Sequence, residues 1–308
     1  MKLSVSSSPH LRAPVTTERI MRDVLISLLP CVAAGVWLFG LRTLLVVGIS
    51  TLLCMFLEFT CRFIMKREQT VGDLSAAVTG VLLGLTLPVS IPIPLIIVGC
   101  VTAIVVVKQM FGGLGNNFVN PALAGRIVML VSFPTQMTGF TTPTWVDAVT
   151  TATPLAPNAE AASLLDLFLG RVGGCIGETC KIAILLGLAY LLIRRVISPI
   201  IPLCYVGTVA LFSLAVGADV LFQLLSGGLL FGAVFMATDY VTSPVGKWGK
   251  VVYAVGCGLI TVLIRLYASL PEGVSYAIVL MNILCPLIER IPFRKTFGKG
   301  KSKEGKTV

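Results

Sequence analysis

Leu44-Leu45-Val46-Val47-Gly48-Ile49-Ser50-Thr51-Leu52-Leu53-Cys54-Met55-Phe56-Leu57 runs for fourteen positions without a charge. A barrel strand would alternate apolar and polar residues; this stretch is continuously apolar and reads as a membrane helix over 43–63. Its first charge, Glu58, falls inside the helix, as a candidate for an ion path or a buried pair.

The same pattern recurs on both sides. Helices are expected at 24–41, 43–63, 73–88, 94–110, 121–134, 181–197, 199–217, 220–238, 249–268 and 275–289. The third, fifth and tenth are short for a full span, which predicts broken or half-length helices there. Composition agrees. Of 308 residues 56% are hydrophobic and 12% charged, against ~25% charged in soluble domains. The polar N-terminus runs directly into a full-length helix pattern, so no cleavable signal is expected.

Thr79-Gly80-Val81-Leu82-Leu83-Gly84 in the third helix echoes Ser226-Gly227-Gly228-Leu229-Leu230-Phe231-Gly232 in the eighth. Helices five apart in order have opposite orientation. The expected fold is therefore an all-α integral membrane protein, about ten transmembrane helices in two inverted five-helix repeats, with ligand sites between the halves. The divisions are an arm (1–19), a first repeat (20–134), a long polar segment (135–180), a second repeat (181–289) and a basic tail (290–308).

The net charge is +10. Much of it sits in the tail, as Arg290, Arg294, Lys295, Lys299, Lys301, Lys303 and Lys306. No basic stretch is interleaved with aromatics, so a nucleic-acid partner is excluded. With both termini cytoplasmic, roughly nineteen of the 24 lysines and arginines face inward. Only Arg42, Arg171, Lys181 and Arg265 then lie outside, as the positive-inside rule requires. Segment 135–180, with Asp147, Glu160, Asp166 and Glu178, is extracytoplasmic on that reading. His10 is the only histidine, which excludes histidine metal sites and histidine proton chemistry inside the membrane. No metal site and no catalytic residue are assigned.

Polar motifs punctuate this background. Asp147-Ala-Val-Thr150-Thr151-Ala-Thr153-Pro154-Leu155 crowds hydroxyls before a proline that restrains Thr153, suiting a hydrogen-bonding turn or a covalent attachment point. Gly112–Arg126 holds three glycines, then Asn117 and Asn120, three apart. On a helical turn both amides point one way and suit an imide or carbonyl. Gly173–Lys181 offers glycines and a helix start, either an anion cradle or a packing motif. Its Cys175 and Cys180 fit a disulfide, an iron–sulfur ligand pair or two thiols, and the flanking glycines favour thiols. Phe235–Pro244 contains Asp239, which suits either a cofactor or cation contact or a turn cap.

Together, and in this order with Leu266–Gly273, these motifs resemble a family over nearly the whole chain. It comprises the D subunit of the Rnf ion-translocating electron-transport complex and its homologue, the B subunit of the Na⁺-translocating NADH:quinone reductase. The short N-terminal arm resembles the Rnf side. The resemblance implies FMN joined through its phosphate to Thr153 by an extracytoplasmic flavin transferase, with Asp147, Thr150, Thr151, Gly177, Glu178 and Thr179 around it. It also implies a non-covalent second flavin, riboflavin in the homologue, near Asn117, Asn120 and Asp239. Partners would be the other Rnf subunits, one bearing FMN, and membrane lipid. The activity implied is electron relay between ferredoxin and NAD⁺ coupled to Na⁺ or H⁺ movement. A small-solute channel and a passive scaffold are the competing readings. A channel needs no external Thr-Ala-Thr-Pro turn and purifies colourless.

Overall fold

The computed structural model describes residues 16–141, 143, 150, 151, 155, 163–268 and 273–291. Helix α1 (Thr17–Phe39) starts on Thr16, whose hydroxyl accepts from the Arg19 N–H, and stops at Gly40 in a positive-φ conformation. α2 (Arg42–Ile64) follows after a two-residue turn. α3 (Ser75–Leu85) is entered through left-handed Leu74, with the Asp73 carboxylate accepting from the Ser75 N–H at 2.8 Å. α3 has only eleven residues, so it reaches ~16 Å into a ~30 Å apolar layer.

α4 (Ile93–Val101) continues without a break into a π-helical stretch, Thr102–Gln109. α5 (Pro121–Ser132) is capped by Asn120 and begins on proline. The polar segment then holds α6 (Pro134–Thr138), a two-residue antiparallel ladder of β1 (Phe140–Thr141) with β2 (Thr150–Thr151), and α7 (Leu164–Leu169). The second half contains α8 (Lys181–Ile193), α9 (Ile200–Val216), α10 (Val220–Leu225), α11 (Leu229–Phe231) running into π-helical Gly232–Met236, α12 (Lys247–Tyr267) and α13 (Gly273–Arg290). Four of these, α1, α2, α12 and α13, are long and apolar enough to cross a membrane by length and composition.

The helical membrane fold expected from the sequence is what forms. The third and fifth helices are short, as expected. The tenth is not: α13 runs eighteen residues, through Pro286. The broken one is the eighth, where Ser226-Gly227-Gly228 separates α10 from α11 and Gly227 takes φ +61°. Apolar residues flank that break on both sides, so hydrophobicity alone passes over it, while a chain that turns at a positive-φ glycine cannot continue the helix.

The two halves share a packing pattern. α2 lies along α4 with α3 against it; α9 lies along α12 with α11 and its π turn against it. Across the halves α1 packs on α8 and α5 on α13. Close approach is obligatory at α2–α3: a Cβ on Gly80 would sit 2.5 Å from Thr51 Cα, and one on Gly84 2.9 Å from Val47 Cα. Leu52, Phe56, Phe63, Leu203, Leu211 and Leu214 point outward and are largely exposed, an apolar belt that suits lipid.

Candidate functional site between the two broken helices

The stop of α3 and the break before α11 face one another across a small cavity of about 30 Å³, room for a water or two. Leu85, Thr86, Arg126, Leu155, Glu178, Gly227, Gly228 and Arg265 line it. Broken helices expose backbone groups that need partners. The loop before α8 supplies them: the Gly177 N–H donates to Leu85 O at 2.7 Å and the Ile176 N–H to Leu87 O at 3.2 Å. Arg126 donates to Thr86 O, and at 3.3 Å to the Cys175 sulfur.

Two further N–H groups of the loop are engaged within it. The Cys175 N–H reaches Glu178 Oε1 at 3.0 Å, and the Glu178 N–H returns to Cys175 O. Of the N–H groups that Gly173–Lys181 could offer an anion, those of Ile176 and Gly177 are thus spent on the α3 terminus and that of Cys175 on Glu178. Its glycines are packing positions, since a Cβ on Gly177 would meet Leu85 Cβ at 2.8 Å. Thr179 is buried, its hydroxyl on Ile176 O. None of the nine cysteines forms a disulfide, so Cys175 and Cys180 are both thiols.

Cations come from elsewhere. The Lys181 ammonium donates to Glu178 O and to Gly227 O; the Arg265 guanidinium donates to Ser226 O at 3.0 Å and Gln223 O at 2.6 Å. The sequence shows these two residues only as external charges. Leu155 reaches the same turn, with Cδ1 2.9 Å from the Cβ position of Gly227. Thr150 and Thr151 form β2, paired to Thr141 and Phe140. Asp147 and Thr153 lie outside the described residues.

A second cavity of about 50 Å³ lies at the other end of the half-helices, lined in part by Val24, Leu82, Asn120, Phe235 and Asp239. The Asn120 side-chain carbonyl accepts from the Ala122 and Leu123 N–H groups, and its amide donates to Met236 O at 3.4 Å. Asn120 thus starts α5 and ties it to the end of the opposite π turn. Asn117 is buried too, but its amide turns back to Val119 O. The expected helical turn between the asparagines does not form, because Gly112, Gly113 and Gly115 all take positive φ and carry the chain as an irregular loop. Asp239 accepts from the Thr242 hydroxyl at 3.0 Å, capping its own turn while facing the cavity. Burial pushes its carboxyl pKa up, partly opposed by that hydroxyl and by the Val241 and Tyr240 N–H groups. The structure brings Asn120 and Asp239 together and leaves Asn117 apart.

Glu58 is buried between two cations, with Arg62 Nε 4.0 Å from Oε1 on the same helix. Lys108 Nζ stands 2.9 Å from Oε2, while the Gln109 amide and the Thr70 hydroxyl reach Oε1 at 2.9 and 3.2 Å. Lys108 also donates to Ser75 Oγ at 2.6 Å. Lys108 and Gln109 close the π-helical stretch of α4, and the extra residue of such a turn re-aims side chains. Among the described residues no group of three or more His, Cys, Asp or Glu could hold a metal.

The fold and its two inter-half cavities define a class: a helical membrane protein organised around a pair of interrupted helices. The chain belongs to the NQR2, RnfD, RnfE family, which matches residues 4–298. It is 48% identical to the D subunit of the Na(+)-translocating ferredoxin:NAD(+) oxidoreductase complex of Acetobacterium woodii, over 99% of this chain and 98% of that one. It is 38% identical to the D subunit of the proton-translocating ferredoxin:NAD(+) oxidoreductase complex of Clostridium ljungdahlii, over 96% of each. The D subunit of an ion-translocating oxidoreductase complex of Stutzerimonas stutzeri matches at 36%, over 92% of this chain and 93% of that one.

Proposed function

We propose that the chain is the membrane-embedded D subunit of an Rnf-type ferredoxin:NAD⁺ oxidoreductase complex, relaying electrons through flavin while the complex moves Na⁺ or H⁺. The observation that carries this is the near end-to-end match to proteins of that name, 48% identical to one over 99% of the chain. The names of the relatives divide between Na⁺ and protons, so the ion is left at that pair. The other subunits of the complex are the partners on this reading, one of them an FMN carrier.

The reading further assigns covalent FMN to the Thr153 hydroxyl, attached by a flavin transferase outside the cell membrane. Flavin supplies one- and two-electron redox chemistry; the protein binds it, orients it and controls its surroundings. The residues near Leu155 suit a phosphoryl group, because a buried lysine and a half-buried arginine there rest on neutral oxygens. A second, non-covalent flavin is assigned to the cavity between Asn120 and Asp239. The chemistry suits an imide edge, since a half-buried carboxyl and an amide both face it. The volume of about 50 Å³ falls short of the ~300 Å³ of ordinary ligand pockets.

The test is Thr153→Ala in the full chain. Loss of covalent flavin fluorescence on a denaturing gel supports the assignment, and retention refutes it. A colourless wild-type protein favours the solute-channel reading instead.

A further inference from the structure

Two cations on opposite sides of the broken eighth helix converge on one turn. Lys181 begins α8 and is 2% exposed; its ammonium rests on Glu178 O and Gly227 O. Arg265, half-buried in the last turn of α12, rests on Gln223 and Ser226. Among the described residues neither forms an ion pair, and Glu178 is the one carboxylate lining the cavity. Two polar atoms at this turn, Arg265 Nε and Ser226 Oγ, are buried without a partner among those residues. A buried cation held only by neutral oxygens is costly, and native interiors rarely leave one so. With Arg126, which also lines the cavity and is held on Thr86 and Cys175, three positive charges stand against one carboxylate.

We propose that Lys181, Arg265 and Ser226 form an anion site for a phosphoryl group, the one that joins FMN to Thr153. The proposal rests on the attachment reading above. A phosphodiester carries a single negative charge, which offsets part of that surplus. It accepts hydrogen bonds from the kinds of donor left here, a guanidinium N–H, an ammonium and a hydroxyl. Position is set by chain length: Leu155 lines the cavity and touches the Gly227 position, and Thr153 is two residues away in sequence, at most ~7 Å of chain. The cavity of about 30 Å³ is far too small for a flavin ring, so the ring must lie outside this turn. Lys181 and Arg265 are positioning residues: they hold the linker and touch no redox atom.

The test separates this site from attachment. The full chain carrying Thr153→Ala, which has no acceptor hydroxyl, is stripped of lipid in detergent and titrated with FMN and with riboflavin, identical but for the phosphate. FMN should bind about tenfold or more tighter, the scale of one charge-assisted contact. Lys181→Gln or Arg265→Gln in the same background should abolish the preference, while Arg265→Lys keeps part of it. Riboflavin affinity is the internal control for folding, since only the ratio is read. Equal binding of the two flavins, binding of neither, or a preference untouched by both glutamine variants overturns the proposal. So does a lipid headgroup as occupant, recognised as tightly bound lipid phosphorus that leaves with Lys181→Gln and no FMN preference. The attachment reading is judged separately, by the mass of the wild-type chain. An unmodified wild type beside a Thr153→Ala chain that still prefers FMN sinks attachment and keeps the site.

Discussion

At the residue scale the decisive terms are buried polar contacts. Glu58 is fully buried against Lys108 and Gln109. Removing one member of such a pair leaves an uncompensated charge, costing about 3–5 kcal/mol. Glu58→Ala or Lys108→Ala should therefore lower the thermal midpoint sharply, while Glu58→Met with Lys108→Met recovers part of the loss, the buried Arg62 guanidinium then lacking its carboxylate. Thermal unfolding in detergent checks it, and equal losses in single and double variants contradict it. Asp239 acts in the opposite sense. Its folded pKa lies above the unfolded value of ~3.9, so the folded state binds the proton more tightly. Its contribution to stability is complete below the unfolded pKa and is lost as pH rises through the raised folded one. Asp239→Asn should match the wild type in acid and gain on it across that window and above, in melts taken over a pH series. A constant difference at every pH would contradict this.

At the element scale the fold turns on two interruptions, and one is easier to read than the other. The short third helix is evident, because Pro88, Pro92 and Pro94 follow soon after its apolar run. The eighth is not, since Ser226-Gly227-Gly228 sits within an apolar stretch of helical length. The echo between Thr79–Gly84 and Ser226–Gly232 is the signal that could locate it. Glu58 stands out from its place in an apolar helix, but its partner does not. Lys108 lies fifty residues away and is aimed inward by the π-helical end of α4, which periodicity does not reveal. Lys181 and Arg265 are legible as loop charges alone, and only packing shows that they meet. Gly80 makes the α2–α3 contact testable. Its Cβ would stand 2.5 Å from the Thr51 backbone, so Gly80→Ala forces the helices apart at about 1–3 kcal/mol, although alanine is the better helix former. A stabilised Gly80→Ala protein would rule out the close approach.

At the scale of the whole molecule, the proposal needs the segment bearing Thr153 to face away from the cytoplasm. Arg194 pairs with Asp23 at 3.2 Å, and Val245 meets Glu289, at one end of the bundle. Arg42 is held on Ser90, which donates to Gly139, at the other. A cysteine at Asn158 should react with a membrane-impermeant maleimide in intact cells above the wild-type background, and one at Lys299 only after lysis. The reverse pattern would remove Thr153 from the reach of an external transferase.

The most direct measurement is the intact mass of the purified chain beside its Thr153→Ala variant. The account predicts a wild type heavier by one FMN less water and a variant at the unmodified mass. A wild type at the unmodified mass, or a variant that keeps the added flavin, would contradict it.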